Sequence, residues 1–153
     1  MKKNNRQRAN ITENPFVGQL RFELYKQAIA QFNQAVEAGF YLEAITICES
    51  LIADRLESRC AELGKPIAFK PLGDLIKRIK QIETDDLIRN VVVGDLDNWR
   101  LNRNTALHEI VKFEKGAIPN WENRVEQYQE YAAAGMVIFR AIDAQVTKLR
   151  KRK

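Results

Sequence analysis

Three side chains packed into six residues can do acid–base and phosphate chemistry together: Arg103, Asn104 and His108. His108 is the only histidine of the chain. Imidazole titrates near neutrality, so it can accept a proton from a hydroxyl and return one to a leaving oxygen. A guanidinium set in place beforehand neutralises charge that builds on a phosphate in flight. On a helix, Asn104 and His108 are i, i+4 neighbours.

Placed at about 100° per residue, Val92, Leu96, Trp99, Ala106, Leu107, Ile110 and Phe113 fall on one face, and Arg103 falls near its centre. Asn104 and His108 lie on an adjoining polar stripe with Asp97 and Arg100. A guanidinium aimed into an apolar seam is costly unless it meets an anion or fixed acceptors. Glu49 is the mirror image, since it shares the wheel angle of Ile45, Ile52 and Leu56 on another helix. Arg103 and Glu49 are therefore expected to face each other across the core, each supplying the countercharge the other needs. A purely structural pair and a pair that supports a site both fit. Arg100 is a candidate phosphate contact, with pairing to Asp97 or Asn104 as its plain structural role. Trp99, Trp121, Tyr128 and Tyr131 could stack bases. Trp99, Trp121 and Tyr128 sit on apolar seams, however, and read as core.

The run Arg103-Asn104-Thr105-Ala106-Leu107-His108 resembles the signature of HEPN domains (higher eukaryote and prokaryote nucleotide-binding). That signature is an Arg, then a polar residue that is usually Asn, Asp or His, then a His closing a spacing of four to six. The resemblance extends by helix pattern from Phe16 to Leu149. It implies an all-α HEPN-like bundle, a homodimer, and a metal-independent RNA endonuclease of the toxin or phage-defence kind. By that resemblance Arg103 neutralises the phosphate, His108 moves the proton and Asn104 orients the pair. The site forms where the motif helices of two subunits meet. The implied reaction is transesterification by the RNA 2′-hydroxyl, leaving a 2′,3′-cyclic phosphate and a 5′-hydroxyl, with no metal and no cofactor. RNA, tRNA included, is the implied substrate, and an antitoxin or a nucleotidyltransferase is a further implied partner. Relatives without nuclease activity exist, so a non-catalytic helical module that binds RNA or a protein partner is the alternative.

The 153 residues suit one domain with a real core. With 45% hydrophobic residues and few Gly or Pro, the chain reads as folded and helix-rich. No apolar run approaches the length of a membrane span, and no apolar stretch follows the basic start, so a cytoplasmic location is expected. Cys48 and Cys60, twelve residues apart on one helix, cannot pair and leave no zinc ligand set beside a single histidine. The net charge of +5 is uneven. Lys2, Lys3, Arg6 and Arg8 crowd the start, and Lys148, Arg150, Lys151, Arg152 and Lys153 the end, so the body between is mildly acidic. Such ends are either solvated tails or a salt-sensitive grip on phosphates.

The motif needs a scaffold, and the apolar periods supply one: four long helices and one short one. Residues 1–15 are expected to be a disordered basic arm, 16–147 the bundle, and 148–153 a basic tail. The first helix spans Phe16–Ala38, with Phe16, Leu20, Leu24, Ala28 and Phe32 inward and a stop at Gly39. The second spans Phe40–Leu63, and a short third spans Leu72–Ile82. Thr84-Asp85-Asp86 reads as the next helix start. The run Leu87–Val93 is rich in β-branched residues, but with no second strand candidate it reads as helix. Gly94-Asp95 is expected to break or restart that helix, with Asp95 capping the motif segment as far as Glu114. Pro119 opens the last helix in its first turn. Its seam is Trp121, Val125, Tyr128, Ala132, Gly135, Phe139, Ile142, Val146 and Leu149, long enough that one end projects or packs on a partner chain. The small residues from Ala132 to Gly135 allow a close helix approach. There is no glycine-rich phosphate loop, no Gly-x-Ser-x-Gly turn and no recognisable Cys/His pair.

Overall fold

The computed structural model describes residues 6–152, and among these there is helix and no strand. Lys2, Lys3 and Lys153 of the basic ends lie outside the described residues. The long helices are α1 (Val17–Ala38), α2 (Tyr41–Glu62) and α6 (Trp121–Lys151), and α3 (Leu72–Ile82) is the short one. The fourth long element carries the motif. It is a continuous rod of α4 (Asp86–Asn90), a π-helical turn (Val91–Leu96) and α5 (Asp97–His108).

α2 is the axis of the bundle and touches α1, α3, α5 and α6. Its stripe Ile45, Cys48, Ile52 and Leu56 is wholly buried. Leu75 and Ile79 of α3, Ile88, Val92 and Leu96 of the rod, and Ile142 and Val146 of α6 close around it. Each such side chain contributes roughly 2 kcal/mol on leaving water. α1 ends where expected, at Gly39 with φ 81°, which turns its N–H back onto the carbonyls of Ala35 and Val36.

α1 buries a different stripe from the one its apolar residues suggest. Phe16, Leu20 and Leu24 are exposed, whereas Val17, Tyr25, Ala28, Phe32 and Ala35 face inward. Polar partners set this rotation. The Tyr25 hydroxyl donates to the Asp54 carboxylate of α2, and Arg21 approaches the same group at 3.8 Å. Residues 6–15 form no helix, but Arg8 is held against α2 by Asp54, by Glu57 at 3.0 Å and by Ser58 at 2.6 Å. Basic residues 148–151 continue α6, and Arg150 donates to Glu62 at 2.6 Å.

The rod departs from expectation at both ends of the motif segment. Asp85 is its cap, accepting from Ile88 N at 3.0 Å. Gly94 neither breaks nor restarts it. The helix passes through Gly94 as the π turn, so Asp95 has no free amides to cap. The wide turn coincides with three crowded valines and a glycine, where the 3.6-residue repeat is weakest. α5 then stops at His108 instead of Glu114. Phe113 is therefore exposed and outside the seam. On α6, Asn120 is the cap, accepting from Asn123 N at 3.1 Å, so Pro119 precedes the helix. Trp121 is 60% exposed, while Tyr128, Ala132, Gly135, Phe139, Ile142 and Val146 are buried as expected.

Two contacts fix the bundle. Arg59 of α2 and Glu83, which follows α3, form a buried two-pronged pair at 2.6 and 2.9 Å. Burial by itself would raise the Glu83 carboxyl, but the Arg59 guanidinium and the amides of Asp85 and Thr84 hold it below the usual carboxylate range. At Gly135 a Cβ would lie 2.7 Å from Trp99 Cζ2 and 3.1 Å from Cys48 Cβ. Gly135→Ala is therefore expected to cost about 2 kcal/mol through overpacking, read as a lowered melting temperature. An unchanged melting temperature would show that α5 is not seated on α6 in this way. Glu83→Gln is expected to cost about 3 kcal/mol at neutral pH, because it strands Arg59 in the core. A carboxyl with a depressed pKa stabilises the fold above the ordinary glutamate range and loses that contribution as pH falls through the lowered value. The gap between wild type and Glu83→Gln should therefore close in acid urea titrations, and a constant gap would contradict the pairing.

Candidate functional site

Trp99 places the site. Its ring fills the space left by Gly135, and its Nε1 donates to the Tyr131 carbonyl at 2.8 Å. With Trp99 inward, Arg103 points one turn further along toward α2. Its Nη2 donates to Glu49 Oε1 and its Nη1 donates to Asn104 Oδ1. The Glu49 side chain is 26% exposed and that of Arg103 13%, so the pair sits at the rim of the core and opens to solvent on one side. Arg103 Nε is buried with no hydrogen-bond partner among the described residues. Burial pushes the Glu49 carboxyl above its usual range, against the opposing pull of Arg103 and His108.

His108 is exposed at the last residue of α5, close enough to Glu49 for its charge to act on that carboxylate. Asn104 lies between the two, half-buried, with its oxygen turned to Arg103. The structure therefore brings Arg103, Asn104, His108 and Glu49 onto one patch of surface. Arg100 takes its plain structural role, donating to Asp97 Oδ1 at 3.2 and 3.1 Å. Trp99 and Tyr128 are buried, Tyr131 is half-buried, and Trp121 is exposed and packed edge-on to Tyr128.

Arg124 escaped the sequence reading. From the first turn of α6 it donates through Nη1 to the carbonyls of Glu109 and Ile110, each at 2.7 Å, and through Nη2 to that of Lys112. These carbonyls lie in the connector that follows α5, so Arg124 fixes the backbone directly after His108. A signal was present. A cation in the first turn of a helix opposes that helix's own dipole, which suggests service to another element. Arg59 left a similar trace, because it lies on the buried face of α2 that also carries Ile52, Leu56 and Cys60.

The patch offers a guanidinium anchored on two sides, an exposed imidazole, and a carboxylate that holds the arginine. Such a set can grip an anion and move a proton beside it. The buried thiols Cys48 and Cys60 supply no nucleophile, since burial pushes them up to about 12 and about 11. Glu49→Gln and Arg103→Met form a double-mutant cycle. Each change alone should lower stability, and the double mutant should lose less than both together by about 1–3 kcal/mol. Strictly additive losses would show that other contacts hold the two side chains. Comparison with protein-family models, with curated proteins and with solved structures returned no match.

Proposed function

We propose that this chain is a metal-independent RNA endonuclease whose site is built from Arg103, Asn104 and His108 of two HEPN-like subunits. The observation that carries the reading is Arg103 anchored by Glu49 and Asn104, with His108 exposed where the same helix ends. In the proposed reaction His108 takes the proton of the RNA 2′-hydroxyl as its oxygen attacks the adjacent phosphorus. The bond to the 5′-oxygen breaks, and the imidazolium of the second subunit protonates that leaving group. Arg103 steadies the negative charge on the pentacoordinate phosphate, and Asn104 holds its guanidinium in plane.

Exposed apolar side chains support a second copy as the partner. The connector after His108 exposes Val111 and Ile118 almost fully and Phe113 largely, and Leu101 is exposed on α5. Apolar groups exposed in this way favour burial against a partner. The second reading is a non-catalytic helical module that binds RNA or a protein. It is favoured by the contact between Arg103 and Glu49, which gives the arginine a structural role within one chain.

Incubation with total tRNA in excess EDTA, beside His108→Ala, separates the two. The nuclease reading expects cleavage by wild type that leaves cyclic phosphate ends, and a loss of at least about 100-fold in the variant. Equal cleavage by both proteins, or none by either with a melting temperature that falls in His108→Ala, would support the module.

A further inference from the structure

Arg6 and Arg8 of the basic start and Arg150 of the basic end line one cleft. This cleft, of about 1170 Å³, opens between residues 6–11, α1, the second half of α2 and the last turns of α6. It lies on the side of α2 away from the motif, since Ser58 in its wall is nine residues beyond Glu49, about 180° round the helix. Six cations line it, Arg6, Arg8, Arg21, Lys26, Arg55 and Arg150, against the carboxylates of Glu57, Glu62 and Asp143.

Half of these cations are committed within the protein. Arg8 serves Asp54 and Glu57, Arg55 pairs with Asp143 at 3.2 Å, and Arg150 with Glu62. Arg21 donates to the Ala9 carbonyl at 3.1 Å and approaches the Asp54 carboxylate, already bonded to Arg8, at 3.8 Å. Burial and the charge of Arg8 lower its pKa, as for a cation short of countercharge. Lys26 is largely exposed, 3.7 Å from Glu23. Arg6 is stacked on the ring of Phe69 at 4.2 Å.

Two exposed aromatic rings flank this surplus. Phe22 lines the cleft and is 62% exposed. Phe69, 49% exposed, has φ 54°, a left-handed conformation that strains a bulky residue. Its N–H is pinned to Glu57 Oε1 at 2.7 Å, so the strain is imposed by the same carboxylate that holds Arg8. A strained backbone that presents an exposed ring under an arginine has no role in the core.

We infer that this cleft binds single-stranded RNA, with phosphates on Arg21, Arg6 and Lys26 and bases stacked on Phe22 and Phe69. Cations in excess of carboxylates, two of them lying over exposed aromatic rings, match a flexible single strand, whose bases are unstacked and reachable. A duplex hides its bases. The choice of RNA over DNA rests on the nuclease reading above. The surface would feed a strand to the protein from outside the cleavage site.

Fluorescence anisotropy tests this with a labelled short oligouridine and the His108→Ala protein, which keeps the RNA intact. Binding should weaken between about 50 and 200 mM KCl with a log–log slope of about −2, as for three phosphate contacts on a single strand. Lys26→Glu and Phe22→Ala should each weaken it by about tenfold or more with an unchanged melting temperature, Phe22→Tyr should restore it, and an RNA duplex of equal length should bind about tenfold less tightly. No binding at the lowest salt, equal binding of duplex and single strand, or parental affinity in both cleft variants would overturn the inference. So would a loss confined to Arg100→Ala, which would put the strand on the motif face. The two proposals fail separately. Binding through the cleft by a wild type that cuts no RNA ends the nuclease reading alone, and cutting with unaltered binding in the cleft variants ends this one alone.

Discussion

An indole ring lying against a glycine sets the geometry of everything around the motif. Trp99 can enter the bundle only because Gly135 has no Cβ, and once there it bonds the Tyr131 carbonyl and packs on α2. That one contact fixes the rotation of α5. Arg103 must then emerge four residues later toward Glu49, and His108 must emerge at the rim, where the helix ends. The seat is tight, so the motif side chains inherit the rigidity of the core.

Charge does the remaining positioning, and it does so at the edge of the apolar interior. Arg59 with Glu83, Arg103 with Glu49, and Arg8 with Asp54 and Glu57 each tie α2 to a different neighbour. Burial raises the proton affinity of Glu83, Asp54 and Glu49, and Glu83 and Asp54 are brought back below the usual range by their partners. Glu49 stays above it. Of the three acids shifted by these ties, the one beside the motif is thus the least comfortable as an anion. It is suited to releasing Arg103 to a stronger anion such as a phosphate. Arg124 completes the frame by fixing the backbone where α5 stops.

Much of this was legible in the sequence, for physical reasons that can be traced. Long apolar periods bounded by Gly39, Gly64 and Thr84-Asp85-Asp86 give the helices to within a residue or so at most ends. The coupling of Glu49 and Arg103 followed from two charges that each broke an apolar stripe. What could not be read was partner choice among polar groups. α1 rotates so that Tyr25 and Arg21 reach Asp54, which leaves Phe16, Leu20 and Leu24 outside. Hydrophobic counting ranks those residues the other way. The motif helix stops at His108 because Arg124 takes the carbonyls beyond it, and no local pattern around Glu109 announces that. The gathering of Arg6, Arg8 and Arg150 at one cleft is a fact of topology, invisible to a charge count along the chain.

The central claim is that α5 presents a cleavage site completed by a second copy of the chain. The most direct test measures RNA cleavage per mole of protein, in EDTA, across the concentration range in which sedimentation resolves monomer from dimer. The account predicts specific activity that rises in step with the dimer, and a Val111→Glu variant that loses dimer and activity together with its fold intact. Specific activity that is constant while the protein remains a monomer would contradict it.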